Sequence, residues 1–110
     1  MSVEAAGEGG GTFVASGADT YRLESALSFA TVPVVRPLGL ALIAAARGRT
    51  LTFDLALVTA VDSAGLALLI DWLAVARAGD CQLRYSQPAE TLLSLARLSE
   101  VESLLNGHHA

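Results

Sequence analysis

The chain has 110 residues, of which 53% are hydrophobic and 16% are charged, so it can form one domain with a sizeable core and is not a disordered chain. Its formal net charge of −4 gives no electrostatic footprint of a protein that binds nucleic acid or an anionic membrane. Cys81 is the only cysteine of the sequence, so a disulfide framework is excluded and we expect a reducing compartment.

No segment has the pattern of a signal peptide or of a membrane span. Residues 1–11 are acidic and rich in glycine, which predicts a flexible leader. The longest apolar run, residues 38–46, is about half of the roughly 20 residues that a spanning helix needs. We therefore expect a cytoplasmic protein that does not insert into the membrane by itself.

The first elements are two short segments of alternating polarity. Residues 12–16 predict a strand, residues 17–19 have turn chemistry, and residues 21–24 predict a second strand. The three together predict a hairpin.

Residues 30–47 predict a helix whose start is ambiguous. Thr31 can cap it with Pro33 in the first turn, but Pro37 falls one turn further in, where it removes a backbone hydrogen bond. Either the helix is kinked near Val34, or its regular part begins close to Pro37. Gly48 is predicted to end it.

The third strand leads into the second helix through a polar pair. Residues 50–55 alternate with the period of a strand, and from Leu66 the apolar period becomes that of a helix, with a core stripe of Leu66, Leu69, Ile70 and Leu73. Between them lie Asp62 and Ser63, whose side chains can accept hydrogen bonds from the free N–H groups of a first helical turn.

Residues 79–80 are predicted to end the second helix, and residues 81–85 alternate as a fourth strand in which Cys81 is a small core residue. A third helix follows Pro88, and a capping box at Ser99 and Glu102 predicts a short final helix. We predict a leader at 1–11, a folded domain at 12–106 and a disordered tail at 107–110. The element order predicts an α/β fold with a four-stranded, mostly parallel sheet, an N-terminal hairpin and helices packed on the sheet.

No catalytic constellation is recognisable in the sequence. It has no G-x-x-x-x-G-K-[ST] phosphate loop, the glycines at 9–11 precede a strand and not a helix, and His108 and His109 fall in the predicted tail. We predict no enzyme, no catalytic residue, no cofactor and no metal site.

The pair Asp62 and Ser63 has two interpretations with similar support. It is a structural helix cap, or Ser63 is a contact or phosphorylation point, where a phosphate would add about −1.5 to −2 charges. Taking Ser63 as the N-cap, we expect Ser63→Ala to lower stability by about 0.5–2 kcal/mol.

The second helix also carries a second apolar stripe, interrupted only by Asp71 and formed by Ala64, Leu68, Trp72 and Val75. Another part of the domain can cover this stripe, or another protein can, with Trp72 as a typical anchor, and we favour the second alternative. The predicted partner surface consists of Asp62, Ser63, Ala64, Gly65, Leu68, Asp71, Trp72 and Val75.

The residues Val-Asp-Ser-Ala-Gly-Leu at 61–66, after the strand at 51–55, resemble the signature of STAS domains. These are the sulfate-transporter and anti-sigma-factor-antagonist modules, in which a Ser or Thr after this Asp starts a helix and can be a kinase target. The resemblance covers residues 12–105. Three further stretches, at 27–33, 65–69 and 92–98, are similar to the MlaB family, the stand-alone STAS subunits of a bacterial phospholipid ABC transporter that maintains outer-membrane lipid asymmetry.

The resemblance implies an anti-sigma-factor-antagonist-like fold and a non-catalytic subunit that binds the cytoplasmic ATPase, MlaF, and supports its assembly and activity. The complex also contains permease and substrate-binding subunits, so the resemblance implies a peripheral location on the inner face of the inner membrane. Ser63 corresponds to the family's hydroxyl residue, and Pro37 departs from the expected pattern. The alternative is an anti-sigma factor antagonist regulated by phosphorylation of Ser63.

Overall fold

The computed structural model describes residues 12–98. The strands of this part are β1 (Phe13–Gly17), β2 (Thr20–Leu23), β3 (Thr50–Asp54) and β4 (Gln82–Ser86), and its helices are α1 (Val32–Ala45), α2 (Ser63–Ala78) and α3 (Glu90–Leu98). The predicted leader, the final helix with its capping box and the tail lie outside the described residues. Within residues 12–98, no helix is both long and apolar enough to cross a membrane.

The four strands form one sheet in the order β1-β2-β3-β4. The pair β1 and β2 is antiparallel, and the two following pairs are parallel. Asp19 turns the chain between the hairpin strands with a φ of 50°, in the left-handed region that Asp tolerates. The predicted α/β fold, with its N-terminal hairpin and mostly parallel sheet, is confirmed.

One face of the sheet carries the core. Phe13, Leu23, Phe53 and Tyr85 are buried on this face, while Thr52 and its neighbours on the opposite face are not. The rings of Phe13 and Phe53 lie 4.6 Å apart between centroids. The alternation of apolar and polar residues in the strands therefore places the helices on one side.

Helix α2 lies directly on this apolar face. The Trp72 ring meets Phe53 edge-on at 5.3 Å between centroids, and Tyr85 Oη donates a hydrogen bond to the Leu69 carbonyl at 2.6 Å. Burial raises the pKa of the Tyr85 phenol well above its usual value, so the hydroxyl stays a donor. Cys81 is buried, as predicted for a small core residue.

Helix α1 begins at Val32 and runs through Pro37, so the alternative in which its regular part begins close to Pro37 is wrong. Pro33 occupies the first turn, as predicted, and the carbonyl that Pro37 leaves without a helical N–H is that of Pro33, close to the helix start. The helix ends earlier than predicted: its last residue is Ala45 and its C-cap is Ala46. Gly48 lies two residues later with a φ of 79°, where its N–H donates to the Asp80 carbonyl at 2.6 Å.

The two largest side chains of the second apolar stripe of α2 are covered by the domain itself. Leu68 and Trp72 are 4% and 0% exposed, and α1 packs beside α2 on the same face of the sheet. The prediction that another protein covers these two side chains is therefore wrong. Two neighbouring helices on one sheet face must bury a stripe against each other as well as one against the sheet.

Candidate partner-binding site

The polar pair lies where the β3–α2 connection enters α2. Asp62 is the N-cap, with an extended backbone (φ −112°, ψ −172°), and its Oδ1 accepts a hydrogen bond from Gly65 N at 3.0 Å. Ser63 is the first helical residue, so the prediction that Ser63 caps α2 is wrong. The expected stability cost of Ser63→Ala depended on that assignment, so this expectation no longer holds.

The other oxygen of Asp62 binds a distant loop. Its Oδ2 accepts from Phe29 N at 2.9 Å, in the connection between β2 and α1. Asp62 N donates to the Leu27 carbonyl at 3.0 Å, and Leu27 N donates to the Ala60 carbonyl at 2.9 Å. The bonds from Phe29 and Gly65 hold the pKa of Asp62 below its usual range, so the carboxylate is ionised at neutral pH.

Gly65 allows this close approach between the two connections. A Cβ at this position would overlap the backbone carbonyl of Leu27, which is fully buried. A larger residue at position 65 would push the loop that carries Phe29 away from α2.

The loop before α1 is also held by Thr31. Its hydroxyl donates to the Ala26 carbonyl at 2.7 Å and accepts from Ser28 N at 3.0 Å, and it makes no bond that caps α1. Thr31 is therefore the N-cap residue, as predicted, but its side chain makes no capping hydrogen bond. Its hydroxyl shapes the turn on which Phe29 is exposed.

Ser63 is exposed at the start of α2. Its hydroxyl has no hydrogen-bond partner among residues 12–98. The N-terminal end of a helix carries partial positive charge and attracts anions. The side chain is thus free to contact a partner or to accept a phosphoryl group.

Large apolar side chains are exposed around this corner. Phe29, whose N–H binds Asp62, is 82% exposed, and Leu98 at the end of α3 is 84% exposed. Leu98 and Ser63 line the same hollow of about 470 Å³. Leu57, in the β3–α2 connection, is also exposed, at 53%, but it does not line this hollow. Exposed apolar side chains that cluster at one place are typical of protein-binding surfaces.

Sequence reasoning did not assign Phe29 or Leu98 to the partner surface, although each carried a signal. Phe29 is a large apolar residue in a connection, between Ser28 and Ala30. Leu98 follows the buried Ala96 by two positions, or about 200° around the helix axis, which places it on the other side of α3.

The structure divides the predicted partner surface. Asp62 and Ser63 are exposed, Ala64 and Val75 are partly buried, and Gly65, Leu68 and Trp72 are buried. Asp71 lies further along α2 and pairs with Arg36 of α1 at 3.0 Å. Only the first turn of α2 therefore contributes directly to the exposed corner, which Phe29 and Leu98 extend.

The family model described as the MlaB STAS domain matches residues 13–106. The chain belongs to this STAS-domain family. The match confirms the resemblance stated from the residues at 61–66, and it is consistent with the α/β architecture. No curated protein sequence matches the chain. The signature segment of this STAS domain, residues 61–66, thus contains the N-cap Asp62 and the exposed Ser63.

Proposed function

We propose that this STAS domain is a non-catalytic subunit that binds the cytoplasmic ATPase of a phospholipid-transport ABC complex. Membership of the MlaB family supports this function. The ATPase is MlaF-like, the complex includes permease and substrate-binding subunits, and its activity maintains outer-membrane lipid asymmetry. The domain resides in the cytoplasm, is peripheral to the inner membrane through the transporter, and supports assembly and activity of the ATPase.

The observation that carries the proposal is the exposed corner at the start of α2. Ser63, whose hydroxyl has no partner among residues 12–98, follows Asp62, whose carboxylate binds the N–H of exposed Phe29. Ser63 also shares a hollow with exposed Leu98. Protein interfaces combine large apolar anchors with polar groups in this manner. The corner replaces Leu68 and Trp72 as the proposed contact surface for the ATPase.

The second candidate is an anti-sigma factor antagonist that a partner kinase switches by phosphorylating Ser63. The exposed position of the Ser63 hydroxyl and its lack of a partner among residues 12–98 favour this candidate. A phosphate at the start of α2 would gain from the helix dipole, but it would repel an acidic partner.

Affinity purification of the tagged chain from the cells that make it, followed by mass spectrometry, separates the two candidates. An ABC ATPase that co-purifies with a permease supports the transporter function, whereas a serine kinase supports the second candidate. The Phe29→Ala variant is the matched control, because a partner that uses the corner must be depleted from it. If neither an ABC ATPase nor a serine kinase co-purifies with the natural chain, both candidates are refuted.

A further inference from the structure

A groove runs between the C-terminal half of α2 and β4, away from the Ser63 corner. Ile70, Leu73 and Ala74 of α2 form one wall, and the β4 residues Leu83 and Tyr85 lie along the other. The groove has a volume of about 730 Å³. Its size and its apolar walls suit several side chains of another polypeptide.

The outer edge of β4 borders this groove. Gln82 N donates to the Arg49 carbonyl at 3.0 Å and the Ser86 carbonyl accepts from Leu55 N at 2.8 Å, so these two residues turn their backbone groups towards β3. Because alternate residues of a strand turn to opposite sides, Leu83 and Tyr85 present their N–H and C=O groups to the outer edge. Among residues 12–98, no strand pairs with that edge.

The groove is also more cationic than the chain as a whole. Arg77 and Arg84 border it, and neither forms an ion pair or a side-chain hydrogen bond within the described part of the chain. Arg49 is paired with Asp19 at 3.2 Å, which leaves Asp80 as the carboxylate that borders the groove. Arg77 at the groove and Arg84 on the open face of the same edge strand are thus two guanidinium groups without acidic partners among residues 12–98, in a chain of net charge −4.

We propose that an extended, acidic segment of a partner protein adds to β4 as a fifth strand. Its backbone pairs with the free groups of Leu83 and Tyr85, and its alternate apolar side chains enter the groove against α2. Its carboxylates lie near Arg77 at the groove and near Arg84 on the open face of the sheet. This docking surface is separate from the Ser63 corner and does not depend on the proposed function.

A second copy of the chain fits this edge poorly. Arg84 is the middle residue of β4, so two β4 strands paired antiparallel about their centres bring Arg84 close to its counterpart. Like charges that face each other across two strands are destabilising. The cationic edge therefore favours an acidic partner over self-association.

The test uses two synthetic peptides of about seven residues, one alternating valine with glutamate and one alternating valine with lysine. Each is titrated into the full, isotope-labelled chain while the backbone amide signals and exchange rates of Leu83 and Tyr85 are followed by NMR. We expect the glutamate peptide to shift both signals and to slow both amides by about tenfold or more. The lysine peptide should have little effect.

Charge-reversal variants test the recognition. The double variant Arg77→Glu, Arg84→Glu should weaken binding of the glutamate peptide by about tenfold or more and should now bind the lysine peptide. Arg47→Glu is the matched control, since Arg47 is exposed and lies outside the groove lining, and it should leave both affinities nearly unchanged.

Four results would overturn the proposal. Neither peptide binds, or both bind the natural chain equally well. The other two results are seen without peptide, if the Leu83 and Tyr85 amides already exchange slowly. Slow exchange that does not depend on protein concentration would mean that another segment of the same chain covers the edge. Slow exchange that increases with protein concentration would mean that a second copy covers it.

Discussion

The indole ring of Trp72 lies so close to Gly39 of α1 that a Cβ at residue 39 would overlap it. Trp72 Nε1 also donates to the Arg36 carbonyl at 3.3 Å, one turn earlier in α1. The ring is fully buried, with Phe13 and Phe53 on its sheet side. Gly39 thus lets α1 approach α2 closely enough to make Trp72 the centre of the core.

Trp72→Ala should destabilise the isolated domain, because it removes the largest buried side chain. We expect a loss of about 3–5 kcal/mol in the free energy of unfolding, measured by urea denaturation. Gly39→Ala should lose about 1–3 kcal/mol, since the added methyl group meets the ring. Leu57→Ala is the control, because Leu57 is exposed. A loss below about 1 kcal/mol for Trp72→Ala would contradict this account of the core.

The stabilising role of Asp62 should depend on pH. Hydrogen bonds from Phe29 and Gly65 lower its pKa in the folded state. Its contribution to stability is therefore complete above the unfolded pKa of about 3.9 and is lost as the pH falls through the folded pKa. Asp62→Asn leaves an NH₂ group facing one of the two donors, so it should melt at a lower temperature than the natural chain at pH 7. This difference should shrink below about pH 4, and a difference that is constant across thermal melts from pH 7 to pH 3 would contradict the role of the charge.

Ser63 should matter for binding and not for folding. The free energy of unfolding of Ser63→Ala should lie within about 0.5 kcal/mol of that of the natural chain, because the hydroxyl has no partner among residues 12–98. Ser63→Asp should also fold, since its charge lies at the positive end of α2. Under the proposed function, the added carboxylate next to Asp62 is desolvated against the ATPase, so Ser63→Asp should bind more weakly than Ser63→Ala. Calorimetric titration beside a thermal melt tests this, and equal affinities would remove Ser63 from the interface.

Phe29 and Leu98 should act as anchors for the partner. Each alanine variant should remain folded, because both side chains are more than 80% exposed. Under the proposed function, each should weaken ATPase binding by about 2 kcal/mol or about thirtyfold. Arg47→Ala serves as the control at the opposite end of α1, a helix of 14 residues and thus about 21 Å long. Unchanged affinity for both anchor variants would exclude the corner as the contact surface.

The chain alone should not bind nucleotide, because its sequence lacks a phosphate-binding loop. Titration of the purified chain with ATP and magnesium in a calorimeter should give only the heat of dilution. A micromolar site would contradict the non-catalytic function that we propose.

The order of strands and helices could be predicted because each depends on local periodicity, as in residues 50–55 and in the stripe that follows Leu66. The burial of Trp72 could not be predicted, because it depends on which two helices pack together. Gly39 and Trp72, which meet in this packing, are 33 residues apart in the sequence. The cap was misassigned because Asp and Ser are about equally good N-caps, and only the backbone of Asp62 distinguishes them. The exposure of Phe29 follows from the Thr31 turn, whose bonds have no periodic signature.

The two hydrogen bonds of the Asp62 carboxylate also have a consequence for conformational entropy. They fasten the connection that carries Phe29 to the start of α2, and the Leu27 backbone bonds reinforce the attachment. A partner that contacts both Phe29 and Ser63 therefore meets two loops whose relative positions are already fixed, and it loses little free energy in ordering them. Asp62 strengthens such a complex by preorganising its surface, even if its own carboxylate never contacts the partner.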